Sequence, residues 1–578
     1  MSTKWGIGRW GTFRWGYSAE LDALLAKKTG VHTRPRIIWK LDAGDQDITQ
    51  YFISGGEVSQ EKERAPDRLT VGDAQLTFNN KDNVFTEDNS SSFLYGVDYH
   101  NRDISFELGI QLADGSFQYI MAATMRVSSL KVSSESGRAE IRVYDLSALL
   151  IGETLNPRPS AMEAVADADN VGDGTMSEVT VKPFVTVAEN WTLTCTLGGA
   201  DSVATFSVVG SVSGNIGTAT SGTEFLSATT GGIKFTIQVG DADWVIGDVL
   251  TFSTVKTMEW AATNPFKIIW SILTGYNYTT GSAEPWLTRT PQLDSTQSSA
   301  NTKIDWASFK KAVDDAEGVL PTLKGYIPFG YKLVDAIEEI LLHYLAAVYV
   351  DPWGRLVVKA YRPELGSAPK NFADSKKAVS LSCVRDVRDV INRVSVKYRK
   401  LDSWPWSDDE GDDTLDGVYV AENQTSKTAL GQWYGQDFES RWWNVTADHV
   451  SFLATRIIDK YGRPPRRYGI ETGIDATEAT IGDIISVTDS KLGLVAYELE
   501  LMGKNGNYSS KPIAITLEAE DTGTYGISWA FLGSSADEGD GLSPQAATFD
   551  TASESDKAFC YQSRTGGAGA DGRDYFMF

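Results

Sequence analysis

The chain has 578 residues, a formal net charge of −24, 42% hydrophobic residues, 17 tryptophans and 3 cysteines. That length is several domains' worth, and the composition is that of a globular chain able to bury real cores. The charge argues against wrapping nucleic acid, whose affinity comes from neutralised phosphates. Scattered Cys195, Cys383 and Cys560 make neither a zinc spacing nor a disulfide framework, so folding in a reducing cytoplasm is expected. No apolar run is long enough for a membrane span, and the basic N-terminus lacks the apolar stretch of a secretory signal.

The charge is uneven. Residues 1–40 carry eight Lys/Arg against two acids, whereas residues 401–440 carry ten acids against one base and 518–557 nine against one. The N-terminus also holds a five-residue repeat, Lys4-Trp5-Gly6, Arg9-Trp10-Gly11 and Arg14-Trp15-Gly16, with Phe13 and Tyr17 between. A period of five fits neither helix nor strand. Three indoles on a segment too short for its own core imply docking onto another surface. Trp5, Arg9, Trp10, Arg14 and Trp15 are the candidate docking residues of this arm. A short helix follows, with Ser18 as cap, Leu21, Leu24 and Leu25 on one face and Gly30 past its end; arm and helix make up 1–35.

From 36 to 165 the pattern predicts an all-β unit, with strands at Arg36–Leu41, Leu69–Phe78, Ile104–Leu112, Tyr119–Val127 and Ala139–Val143. At 166–258 Ser, Thr, Gly and Val dominate and bases nearly vanish. Alternation at Trp191–Leu197 and Ile233–Val239 predicts an inserted β-sandwich. A helical and mixed region is expected over 259–400. Asn264-Pro265 and Gly275 bound its first helix, a second covers Asp305–Ala316 and a third runs from Lys332 to Ala347. A hairpin follows around Asp351-Pro352-Trp353-Gly354, then a strand at Ile391–Arg399. Over 401–520 a helix at Ala447–Tyr461 is stopped by Gly462 and Pro464-Pro465. Strands follow at Ile484–Thr488, Tyr497–Lys504 and Ile513–Ala519. Residues 521–578 read as an extended tail ending in Tyr575, Phe576 and Phe578, a second set of candidate docking residues.

The motifs that usually carry chemistry fail on spacing. Gly6-Ile7-Gly8-Arg9-Trp10-Gly11 matches a dinucleotide fingerprint in letters only, with no room for a preceding strand. Counting an EF-hand from Asp408 puts Asp413 where glycine is needed and Tyr419 where a carboxylate is needed, leaving only a loose cation site there. His32, His100, His343 and His449 form no zinc pattern, and the last two are read as helix residues of the core or surface. No P-loop or nucleophile elbow occurs. No catalytic residue, metal or cofactor is assigned, and the chain is not expected to be an enzyme.

An ordered set of segments is more specific. It comprises Asp47-Ile48-Thr49-Gln50-Tyr51, Gly56-Glu57-Val58-Ser59, Leu69 to Asn80 through Gly72, Phe85-Thr86-Glu87-Asp88-Asn89, Ser92 to Gly96, and Asn101-Arg102-Asp103-Ile104. Later come Ile391 to Tyr398 through Asn392, Ile481 to Val487 through Gly482 and Asp483, and Ile515 to Ala519. The set resembles the tail-tip hub proteins of long-tailed bacteriophages, discontinuously over roughly 36–160 and 260–520. The resemblance implies a mainly β, α+β chain with two tail-tube-like β-barrel domains and mixed domains between them. It implies a homotrimer at the virion's tail tip, made in the host cytoplasm, whose six tube-like units match a six-fold tube. Implied partners are a distal tail ring, a central fibre or spike and the tape measure, with genomic DNA passing without tight binding. The Trp-Gly arm and the 166–258 insertion lie outside the resemblance. Two other readings are open: a receptor- or carbohydrate-binding tail component using the insertion, and a polysaccharide-degrading enzyme.

Overall fold

The computed structural model describes residues 32–531 and the segments 560–565 and 573–577. Interior stretches are omitted, the longest being 62–71, 149–160, 360–369 and 400–416. The fold is mostly strand, arranged in several sheets with a small helical complement.

The N-terminal sheet has seven strands in the order Gly44–Asp47, Thr33–Leu41, Asp103–Gln111, Phe117–Ser133, Arg138–Tyr144, Asp73–Asn79 and Phe52–Gly55, all antiparallel. Alternation puts Leu76 and Phe78, and Ile141 and Val143, on one buried face. The 17-residue strand Phe117–Ser133 slips register between Val127 and Ser129, a bulge that lets so long a strand bend with its neighbours.

A second large sheet is drawn from the far end of the sequence. Its order is Lys370–Ala373, Ile484–Asp489, Leu494–Asn507, Ala514–Asp521, Arg466–Thr472 and Ala378–Arg385. Strand Glu57–Glu61 leaves the N-terminal unit and pairs here, with Glu61 opposite Gly503 and Glu57 opposite Asn507. The two sheets share one hydrophobic cluster. Ile37, Phe78, Phe106 and Ile141 belong to it together with Phe372, Ile470, Leu501 and Leu517.

The third unit is mixed. Its sheet runs Met258–Thr263, Leu323–Ile327, Gly435–Asn444, Arg393–Arg399 and Gly417–Glu422. Helices Pro265–Thr274, Trp306–Ala316, Leu333–Tyr344 and Ala447–Tyr461 pack into the same core, which spans Leu146 to Tyr461. Local sequence rules are obeyed closely. Asn264 accepts from the Phe266 N–H at 3.0 Å, Pro265 opens the helix, and Gly275 closes it at φ +75°. Asp305 caps the next helix through the Ser308 N–H.

One core therefore crosses residue 400, where the sequence placed a boundary. Residues 417–461 belong with the mixed unit, and 466–521 with the second large sheet. The reason is long-range pairing: Val394 to Tyr398 run parallel to Gln436 to Ser440, a contact that local patterning does not reveal.

In the insertion, a five-stranded sheet contains Glu189–Leu197, Thr205–Gly210, Gly214–Thr220, Val249–Thr254 and Val165–Ala166. A second sheet is centred on Ile233–Gln238. Its buried cluster, with Trp191, Phe206, Phe235 and Trp244, lies wholly between Val179 and Phe252, and Ala161 and Ala164, just before residue 166, pack against it. The C-terminal region differs from the extended tail expected. Ile527–Phe531, Cys560–Thr565 and Arg573–Met577 pair as an antiparallel three-stranded sheet. Their β-prone residues were diluted by the surrounding Gly, Ala and Ser.

Candidate assembly surfaces and buried polar sites

The residues that carried the family resemblance are pins of the fold. Thr49 Oγ1 accepts from the Ile37 N–H at 2.8 Å, and Asp47 accepts from the Thr49 N–H at 3.0 Å, folding 47–51 back onto the first strand. Asn80 accepts from the Phe85 N–H at 2.8 Å and donates to Thr86 Oγ1 at 3.1 Å. That turn drives Phe85 into an aromatic cluster with Tyr51, Phe78 and Phe93, at centroid distances of 5.6, 5.1 and 5.5 Å. Asn392 is fully buried. Its amide donates to Ser426 Oγ at 3.2 Å and to the Gln432 carbonyl at 3.1 Å, and it accepts from the Tyr434 N–H at 2.7 Å. One side chain thus fastens the short helix Gln424–Leu430 and the following loop to the start of strand Arg393–Arg399. Gly482, at φ +74°, turns the chain so that Asp483 accepts from Thr480 N–H and Oγ1 at 2.8 and 2.9 Å.

Ion pairs cross the joints between units. Asp103 of the N-terminal sheet meets Lys303 of the mixed unit at 3.1 Å and its own sheet's Arg126 at 3.4 Å. Beside them the turn at Gly354 (φ +79°) lies so close to Thr124 that a Cβ there would stand 3.0 Å from its side chain. Arg355 pairs with Asp305 at 3.1 Å and Asp351 at 2.7 Å. Burial pushes both carboxyls above the usual range, against the pull of Arg355. On the other side, Lys359 meets Asp483 at 2.7 Å, and Lys460 meets Glu500 at 3.1 Å. The last pair is 11% and 3% exposed, an ion pair set in the interior.

A Ser, a His and a Glu do meet, inside the mixed unit. Ser440 Oγ donates to Glu339 Oε1 at 2.6 Å and lies 2.9 Å from His343 Nε2. Glu339 also accepts from the Arg441 N–H at 3.0 Å. The order is wrong for a nucleophile, since the serine proton goes to the carboxylate and the hydroxyl oxygen is left to accept from the ring. Ser440, His343 and Glu339 are 1, 1 and 7% exposed, so no substrate reaches them. His449, 5.0 Å from His343 between ring centres, is held down to about 3 by burial and then by His343, and is neutral at pH 7. Both histidines are core residues.

Trp5, Arg9, Trp10, Arg14, Trp15 and Phe578 lie outside the described residues, as do 6–11 and 408–413. Tyr575 and Phe576 sit on Arg573–Met577, opposite Ser563 and Gln562. Among the described residues no group of three His, Cys, Asp or Glu could hold a metal ion, and no helix is long and apolar enough to cross a membrane. What sequence reasoning missed is the joints: their charged residues are ordinary in type and gain meaning only from pairing across units.

No family model matches the chain, and no curated protein does. Solved structures do. The tail protein from Neisseria meningitidis MC58 aligns at 10% identity and TM-score 0.40, covering 85% of this chain and 97% of that one. The 43 kDa tail protein of prophage MuSo2 from Shewanella oneidensis aligns at 9% and 0.37, covering 84% and 98%. A prophage tail protein from Listeria monocytogenes EGD-e aligns at 9% and 0.37, covering 84% and 95%. These three similar structures are described as tail proteins.

Proposed function

We propose that this chain is a structural component of a phage tail tip, the hub that closes or continues the tail tube and holds the other tip proteins. The observation that carries the reading is the union of two β units from opposite ends of the sequence. They share one core, and strand Glu57–Glu61 of the first joins the sheet of the second. Such a pair is a rigid double building block, and three copies under closed rotational symmetry supply six β units around an axis. The segments of the resemblance form the turns and aromatic packing of these units and of the mixed unit. The net charge of −24 suits a passage through which DNA moves without adhering. A distal tail ring, a central fibre or spike and the tape measure are the partners this position requires. The role is mechanical rather than enzymatic, and the inaccessible Ser440 trio supports that reading.

The insertion gives little support to glycan recognition. Its two indoles, Trp191 and Trp244, are 0 and 1% exposed, and among its described residues the exposed large hydrophobics are all aliphatic. Sugar faces are commonly met by exposed aromatic rings. The test is to tag the insertion in virions and locate the tag by gold labelling. Label at the tail end distal to the head fits the proposal; label along the tail shaft or on the head refutes it.

A further inference from the structure

The insertion ends in a surface whose chemistry matches one segment of this same sequence. Its chain enters and leaves at one end, where Ala161 bridges Thr254 and Glu189 pairs with Thr254. Strand Glu189–Leu197 runs from there for nine residues, roughly 30 Å, to the opposite end. At that end the loops 167–173, 197–204 and 239–248 converge. Asp248, 4% exposed, ties two of them by accepting from the N–H groups of Val171, Gly172 and Val245 at 2.9, 3.0 and 2.9 Å. The Gly199 N–H donates to the Trp244 carbonyl at 2.8 Å and brings in the remaining loop.

These fastened loops hold five aliphatic side chains in water. Val171, Leu197, Val203, Val245 and Ile246 are 66, 51, 50, 42 and 67% exposed. Scattered single hydrophobics are ordinary, but five on three adjoining loops make a patch. Around them stand six exposed aspartates, Asp167, Asp169, Asp173, Asp201, Asp241 and Asp243. The three loops contain no Lys or Arg; Lys182 and Lys234 lie towards the other end, beside Gly232 and Thr180. An aliphatic patch ringed by acids selects a partner that is apolar and basic together.

We propose that this tip receives the N-terminal arm of a second copy of the chain. The arm repeats a base next to an indole three times, which is the complement the tip calls for: indoles over the aliphatic patch, and Lys4, Arg9 and Arg14 against the aspartates. The topology favours a neighbouring copy. The chain preceding His32 joins the N-terminal sheet at the Gln111 end of strand Asp103–Gln111. The chain leading to the insertion leaves at the Asp103 end, where Tyr144 stands beside Arg126. Arm and insertion therefore depart from opposite ends of one sheet. The contact joins copies of the chain whether or not they sit in a tail, so it stands apart from the hub reading.

The test uses the chain lacking residues 2–17 and a fluorescent peptide of residues 1–18, followed by anisotropy. The peptide is expected to bind, to weaken as salt rises, and to lose about tenfold in affinity to Val245→Ser/Ile246→Ser or to Asp201→Asn/Asp243→Asn. A tenfold loss corresponds to about 1.4 kcal/mol. These are exposed positions, and unchanged melting of each variant confirms an intact fold. A peptide with its three Trp replaced by Ala should bind as weakly. Absent binding, or binding indifferent to tip and Trp variants, overturns the proposal. Self-association then identifies the source of the arm. The intact chain should associate with itself more strongly than the arm-deleted chain or the tip variant does. Peptide binding together with self-association that neither change weakens would place the arm on its own chain's tip and overturn the contact between copies.

Discussion

Replacing Asn392 with Ala tests whether one buried amide holds the mixed unit's edge together. The side chain is 0% exposed and makes three hydrogen bonds, at 3.2 Å to Ser426, 3.1 Å to the Gln432 carbonyl and 2.7 Å from the Tyr434 N–H. Each buried bond contributes about 1 kcal/mol net, and a buried group left unpartnered costs about 1–3 kcal/mol. Gln432 is exposed and its carbonyl can rehydrate, whereas Ser426 is only 5% exposed. The expected loss is about 3–4 kcal/mol on these values. The control is Arg393→Ala next door, which removes a surface ion pair to Glu422 and should cost below about 1 kcal/mol. Because the chain has several units, the readout is local: hydrogen exchange of segment 423–434 with urea unfolding alongside. Asn392→Ala should raise exchange there well before the rest of the chain responds. A loss no greater than that of Arg393→Ala would refute the reasoning.

Further expectations follow from other pins. Burial raises the Asp248 carboxyl, but its backbone N–H partners more than offset this and hold it below the usual carboxylate range. Its stabilisation is therefore present at neutral pH and fades as pH falls from the ordinary carboxylate range through the lowered value. Asp248→Asn should destabilise the insertion at pH 7 and flatten its acid dependence, as followed by near-ultraviolet dichroism between pH 7 and 2. Gly482→Ala forces a side chain into φ +74° and against Lys359, and should cost about 1–2 kcal/mol in the second large sheet by urea titration. Replacing 161–254 with a Gly/Ser linker should leave the melting of the remaining units within a few degrees by calorimetry, because the insertion's buried cluster is its own and Met258 stays in the mixed unit's core.

Local structure was legible wherever a short-range rule decides it. Asn264, Pro265 and Gly275 bound a helix by capping chemistry that needs only neighbouring residues, and Ala447–Tyr461 ends at Gly462. The alternating strands of the N-terminal sheet were equally readable, since one face is buried and the other wet. Strand Gly435–Asn444 was not, because GQDFESRWWN has no clean alternation and is placed by parallel pairing with Arg393–Arg399. The same holds for Glu57–Glu61, whose partner lies more than four hundred residues away. Helix Gln424–Leu430 is two turns of polar residues and shows no apolar stripe to read. The resemblance motifs were visible as letters, but their role as turn pins emerged only with Asn80, Asn392 and Asp483 in place.

The central claim is that two joined β units per chain, three chains together, build the tip of a tail. Averaged electron cryomicroscopy of the tail end tests it most directly. Three copies about a three-fold axis are expected, with the N-terminal and second large sheets alternating around a six-membered ring. A tail end with one or two copies of the chain, or with only one of the two β units lining the axis, would contradict it.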